Sequence, residues 1–219
     1  MTARPAPAGD WHLAPRHRKA PETMHAPTLP RENRVDKDWV ELPSGRPAPR
    51  WLRPLLRRLP GKHIELGSEP YLTRWMLKGD GSGRSWEIYI HHLHAIDVSR
   101  FLHNHPWRWF LAFVLAGGYG QDTVDNRIGR VRRERINWFN LFIGQNRYHA
   151  IREISDGGVW TLVVSSRRNG HLWGYWDSDR QTHLPDDEDP EAKTSSVTIY
   201  FDRNLRVRRR QPAAPPASH

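Results

Sequence analysis

The chain has 219 residues, no cysteine and a formal net charge of +10 at neutral pH. That length suffices for one well-packed domain with appendages, and the missing thiols exclude disulfides and thiolate ligands, so any metal is left to His, carboxylates, carbonyls or water. No stretch approaches the roughly 20 uninterrupted apolar residues that cross a bilayer, and the N-terminus lacks the apolar centre of a signal peptide, which points to a soluble, cytoplasmic protein with no membrane partner.

Residues 1–60 carry twelve Lys/Arg against six Asp/Glu, residues 204–219 carry four against none, and residues 61–203 are balanced. The basic excess therefore belongs to the two ends, and contact of these tails with nucleic acid is a secondary expectation beside plain solubility. The expected organisation is a basic, Pro/Ala-rich and largely irregular segment over 1–60, a barrel domain over 61–203 and a basic tail over 204–219. Runs such as Arg4-Pro5-Ala6-Pro7-Ala8 bury too little apolar surface to offset the entropy of ordering. Trp39 and residues 50–58 are exceptions, and the latter, with Trp51, Leu52, Leu55 and Leu56, read as a short helix docked on the domain.

From Tyr71 to Tyr175 short apolar stretches alternate with turn signals, the pattern of antiparallel β structure. A turn at Gly79-Asp80-Gly81-Ser82-Gly83 precedes a strand over 86–97 whose inner face is expected to carry Trp86, Ile88, Ile90, His92, His94 and Ile96. A strand from His105 to Leu115 leads into Gly117-Gly118, and others follow near 136–143, 147–154 and 158–166, the last two joined by a tight turn at Asp156-Gly157-Gly158. The acidic run 186–189 reads as a solvated loop, 197–201 as one more strand, and 206–218 as a free tail.

The chemistry concentrates in Leu102-His103-Asn104-His105-Pro106-Trp107-Arg108-Trp109-Phe110. Residues two apart on a strand point the same way, so His103 and His105 can bind one ion, with Leu111, Phe113 and Leu115 continuing their face. A third ligand has to come from elsewhere, and His149 stands out. His92 and His94 are candidates for a further ligand, a partner of a ligand or a substrate contact, set against ordinary hydrogen-bonded strand residues. Arg147, two residues before His149, can point inward toward an anionic group or outward to solvent. Trp107, Trp109, Trp138, Trp160 and Trp173 read mostly as core, with one or two, Trp109 among them, available to line a pocket.

These segments resemble the two motifs of the cupin superfamily, small jelly-roll (double-stranded β-helix) barrels around a central metal. The spacing from His105 to Gly117 fits the first motif, with Phe110 where that family has a Glu. The second motif is met only at His149, since Gly144, Asn146 and Glu153 stand where Pro, Gly and Asn are expected. The run from Asp97 and Arg100 to His103, His105, Pro106 and Trp107 is also similar to uncharacterised cupin-like proteins of bacteria and phages. The resemblance covers about residues 70–185 and implies an all-β barrel with extended terminal tails, holding one divalent ion on His103, His105 and His149.

Three neutral imidazoles suit Fe(II), with Zn, Mn, Ni or Cu as alternatives, and leave positions open. In lacking the Glu, the set is similar to the three-His iron site of thiol dioxygenases. The favoured reading is a non-haem iron oxygenase acting on a small molecule. Against it stand a metal-dependent isomerase, lyase or hydrolase using Glu153, Glu87, Tyr119 or a spare His as base, and a non-catalytic ligand-binding or assembly module with basic tails. A homodimer is left open, and no catalytic residue is assigned.

Overall fold

Alternation of apolar and polar residues between glycine turns gives an almost wholly antiparallel fold. The computed structural model describes residues 45–66, 69–144, 146–168, 173–185, 196–201 and 207–212. Trp39 and the acidic run 186–189 lie outside these. A four-residue helix α1 (Arg53–Leu56) precedes β1 (Gly61–Leu66), β2 (Glu69–Lys78), β3 (Glu87–Leu93), β4 (Leu102–His103), β5 (Trp109–Ala116), β6 (Tyr119–Asp125) and β7 (Arg132–Ile136). Next come β8 (Phe139–Ile143), β9 (Arg147–Ile154), β10 (Val159–Ser165), β11 (Gly174–Asp177), β12 (Thr182–Pro185), β13 (Ser196–Phe201) and β14 (Val207–Pro212).

The strands form two sheets, in the orders β14-β13-β1-β2-β3-β10-β5-β8 and β12-β11-β4-β9-β6-β7. At their centre β3-β10-β5-β8 and β4-β9-β6-β7 make a jelly roll, the eight-stranded double Greek key expected from the sequence. Among the described residues no helix is long and apolar enough to cross a membrane.

Tight turns set the registers. Gly157 and Gly158 connect β9 to β10 with φ of +75° and +91°, a region closed to most side chains. A Cβ at Gly158 would also collide with the carbonyl of Leu93.

Strand parity departs from expectation at two places. The strand expected over 86–97 ends at Leu93, and its faces are the reverse of those expected: Glu87 and His91 line the cavity between the sheets, whereas Ile90 joins a cluster with Leu52, Leu56, Trp75 and Trp160. The run expected from His105 to Leu115 is broken, because Pro106 supplies no N–H to a ladder and the chain there crosses from one sheet to the other. Phe110 and Ala112, not Leu111 and Phe113, consequently face inward.

The terminal segments also contribute. Ala48, Leu52 and Leu56 are buried, and Trp160 donates its indole N–H to the carbonyl of Arg46 at 2.8 Å. The expected boundary at residue 60 thus cuts through packing that begins near residue 46. The tail expected to be free over 206–218 includes β14, paired with β13. Of the tryptophans expected in the core, Trp160 is fully buried, while Trp138 is 82% exposed, Trp173 43% and Trp109 40%.

Candidate metal centre

His103 and His149 occupy directly opposed positions on β4 and β9, with ring centroids 4.6 Å apart. His105 lies beyond the end of β4. Its loop is tied down by Asn104, whose backbone N–H donates to the Gly174 carbonyl at 3.0 Å and whose side-chain oxygen accepts from the Gly174 N–H at 2.9 Å. Trp107 then stacks on the His105 ring at 5.2 Å. One ligand nitrogen from each of the three histidines lies within 4.8 Å of the others, so the structure brings together all three residues singled out in the sequence.

The proton positions follow from the hydrogen bonds behind the rings. Glu134 can only accept, so the Gln121 group 3.2 Å away is its NH2. Its carbonyl oxygen then faces Nδ1 of His149 at 2.9 Å and also accepts from Asn140 at 3.1 Å. This assigns the proton of His149 to Nδ1 and leaves Nε2 as a bare lone pair. That lone pair lies 2.8 Å from Nε2 of His105. Two nitrogens bound at right angles to one ion, with bonds of about 2.1 Å, are separated by about 3 Å, so the spacing suits coordination as well as a shared proton. Nδ1 of His105 is buried with no hydrogen-bond partner among the described residues.

The Asp97 carboxylate lies 3.8 Å from Nδ1 of His103, an electrostatic contact longer than a hydrogen bond. Asp97 is held in turn by the Tyr71 hydroxyl and by the Ile151 N–H at 2.6 Å. Burial pushes all three imidazoles below their ordinary range; Asp97 partly opposes this at His103, whereas His103 adds to it at His105 and at His149. Neutral rings are the form in which histidine coordinates a metal. The donor set therefore fits a divalent ion, by the chemistry of its nitrogens and by its spacing.

Phe110, at the position where the cupin motif has Glu, packs edge-on against His105 at 4.7 Å and stacks on Phe142 at 5.1 Å. That wall supplies apolar bulk and no ligand. The three histidines line a cavity of about 790 Å³, within the range of small-molecule sites. Trp107 and Trp173 line it too.

The remaining candidates are distributed differently. His92 and His94 lie on the opposite side of their sheet, contrary to the inner face expected for them. There His92 stacks on Trp160 at 4.2 Å, and His94 meets the Thr73 hydroxyl at 2.8 Å, which in turn meets His63 at 2.7 Å. Trp109 is also on an outer face, beside Trp86 and Ser166, because of the parity break at Pro106. Arg147 shares the face of His149, but it is engaged with Glu134 at 3.1 Å and lies over the Phe142 ring. It anchors the Glu134–Gln121–His149 chain and is not a free cation in the cavity.

Of the candidate bases, Glu153 is on the surface beside Arg133 and Arg135, and Glu87 lines the cavity. Tyr119 is buried and pushed up to about 12, so it stays protonated. Gln121, Asp97, Asn104 and Trp107 were not assigned these positioning roles from the sequence. Asp97 and Trp107 carried a signal, both falling in the run that resembles cupin-like proteins.

No protein-family profile and no curated protein matches the sequence. Among solved structures the chain is similar to hydroxypropylphosphonic acid epoxidase from S. wedmorenis, at 14% identity over 48% of this chain and 55% of that one, with a TM-score of 0.35. It is also similar to KdgF from Halomonas sp., at 14% identity over 48% and 88% with a TM-score of 0.33. A Bacillus subtilis oxalate decarboxylase OxdC mutant matches at 18% identity over 57% and 30%, with a TM-score of 0.37. The chain spans about half the length of the epoxidase structures. By its own strand order and its three converging imidazoles, the chain is an all-β jelly roll with a three-histidine cluster able to hold a metal ion.

Proposed function

We propose that the protein is a metal-dependent enzyme, a non-haem iron oxygenase of the three-His type, acting on a small molecule held in the cavity. The observation that carries this reading is the convergence of three neutral imidazole nitrogens inside the cavity, with Phe110 where a fourth, anionic ligand belongs in related motifs. An Fe(II) ion on this set supplies open coordination positions and redox chemistry with dioxygen. The chain's own residues hold His149 in one tautomer through Gln121 and place the Asp97 carboxylate beside His103, and Phe110, Phe142 and Trp107 pack around the His105 ring.

The test is anaerobic loading with Fe(II), followed by oxygen uptake with a panel of small organic acids. Iron-dependent uptake coupled to substrate loss is expected. A centre that retains only zinc and turns over nothing with oxygen overturns the oxygenase reading. Glu87 favours a second reading: a carboxylate on the cavity wall suits a metal-dependent lyase, isomerase or hydrolase. Turnover that persists without oxygen and is lost in Glu87→Gln selects it.

A further inference from the structure

A row of polar side chains crosses the floor of the same cavity on five adjacent strands. Lys62 on β1 is directly opposite Tyr200 on β13 and Arg74 on β2. Arg74 is opposite His91 on β3, and His91 is opposite Thr161 on β10. All five line the cavity that holds the three-histidine centre. Like charges placed directly opposite each other destabilise a sheet, yet Lys62 and Arg74 are so placed, and Arg168 adds a third cation to the wall.

Nothing in the row itself balances them. Three carboxylates reach the cavity. Asp97 is committed to Tyr71, Ile151 and His103, Asp80 accepts from the Ser82 N–H, and Glu87, which accepts from the Gly83 N–H at 3.1 Å, offsets part of the charge of Lys62 and Arg74 from a distance. Among the described residues, neither Lys62 nor Arg74 nor Arg168 has an ion-pair partner. Arg74 spends its Nε–H on Nε2 of His91 at 2.7 Å and lies over the Tyr89 ring, which leaves its two terminal nitrogens for a ligand. His91 is neutral, driven down by burial and then by Arg74, Lys62 and His105.

We infer that this row is an anion-binding floor, and that the small molecule reaching the metal centre carries a phosphate or carboxylate head group seated on Lys62 and Arg74. The link to the metal rests on the function proposed above; the anion site does not. An arginine fork and an ammonium side by side match the oxygens of either head group. The floor adjoins the centre closely enough for Arg74 to depress His105.

The state of Lys62 agrees with this geometry. Burial first, then Arg74 and Arg168, lower it to about 8, with Glu87 acting in the opposite direction and His91 neutral beside it. A bound anion reverses the repulsion and raises Lys62 again, so binding near pH 8 takes up protons.

The experiment is calorimetric titration of the full chain, stripped of metal by chelation, with inorganic phosphate and separately with malonate, in two buffers of different ionisation heat. One saturable site is expected, and the tighter probe identifies the head group. Proton uptake near pH 8 is expected in the parent and absent in Lys62→Met, whose affinity falls by about tenfold or more. Arg74→Lys, which keeps the charge, loses less than Arg74→Met. Without anion, Lys62→Met melts at a higher temperature than the parent, which shows it folded and the repulsion real. Binding of neither anion, or binding unchanged in Lys62→Met, overturns the inference. His103→Ala keeps phosphate binding while losing metal, so failure of the metal centre and failure of the anion floor are read separately.

Discussion

His103 lies directly opposite His149 across β4 and β9, so the register of a sheet, and not the course of a loop, sets the distance between two of the three candidate ligands. Either single change therefore removes a ligand without disturbing the pairing. His103→Ala and His149→Ala, purified without a His-tag, are each expected to drop from about one metal per chain to a small fraction of that, because two imidazoles bind far more weakly than three. Elemental analysis reads the metal, and unchanged far-ultraviolet dichroism confirms the fold. Full metal content in both variants removes the centre from consideration.

Gln121 acts on the metal through His149. Gln121→Ala removes the acceptor at 2.9 Å from Nδ1, and affinity for Zn or Fe(II) is expected to fall about 10- to 100-fold in competition with a chelator. Glu134→Gln touches neither the cavity nor a ligand, yet it frees the Gln121 amide to invert and to move the proton of His149 from Nδ1 to Nε2. A smaller loss in the same direction is expected, and equal affinity in parent and variant refutes the tautomer assignment.

Trp160 joins the barrel to the segment before β1. It is fully buried, stacked between Trp75 at 5.4 Å and His92 at 4.2 Å. Trp160→Ala is expected to cost about 3–5 kcal/mol, measured by urea denaturation. Leu52→Ala, in the same cluster, costs about 2–5 kcal/mol if residues 46–60 are part of the folding unit, and almost nothing if they are an appendage.

Part of the acid sensitivity should originate outside the cavity, in addition to that of the buried imidazoles within it. Burial lowers His63 and His92 to about 4, and burial together with these two neighbours lowers His94 to about 2. In the unfolded chain each ring titrates near pH 6.5. Between the folded and unfolded values the unfolded state binds more protons, so stability is complete above about pH 6.5 and declines as the pH falls toward 4. The slope approaches about 1.4 kcal/mol per pH unit per ring. Urea midpoints at successive pH values measure it, and His63→Gln should flatten the profile. An unchanged slope in that variant assigns the acid sensitivity elsewhere.

How much was legible in the sequence depended on whether the signal was local. The convergence of His103 and His105 was legible because a two-residue spacing puts side chains on one face, and the turn at Gly157-Gly158 because a glycine pair marks a turn by itself. Face assignments failed where parity shifted: Pro106 moves the chain between sheets, so Phe110 and not Leu111 looks inward. β7 is too polar, with Arg132, Arg133 and Arg135, to resemble a strand, and β14 carries a basic sequence that only its partner β13 organises. Gln121 and the row through Lys62, Arg74 and His91 were illegible because register alone assembles them.

Phe110 has a consequence for electroneutrality. With a phenyl ring where the cupin motif carries a carboxylate, the donor set bears no formal charge, and the nearest acid, Asp97, is already tied down behind His103. A divalent guest ion would keep both of its positive charges, with no anionic ligand among the three donors to offset them. Neutral visitors leave that field uncancelled and cationic ones oppose it, so the hollow sorts its visitors by sign before any shape is read.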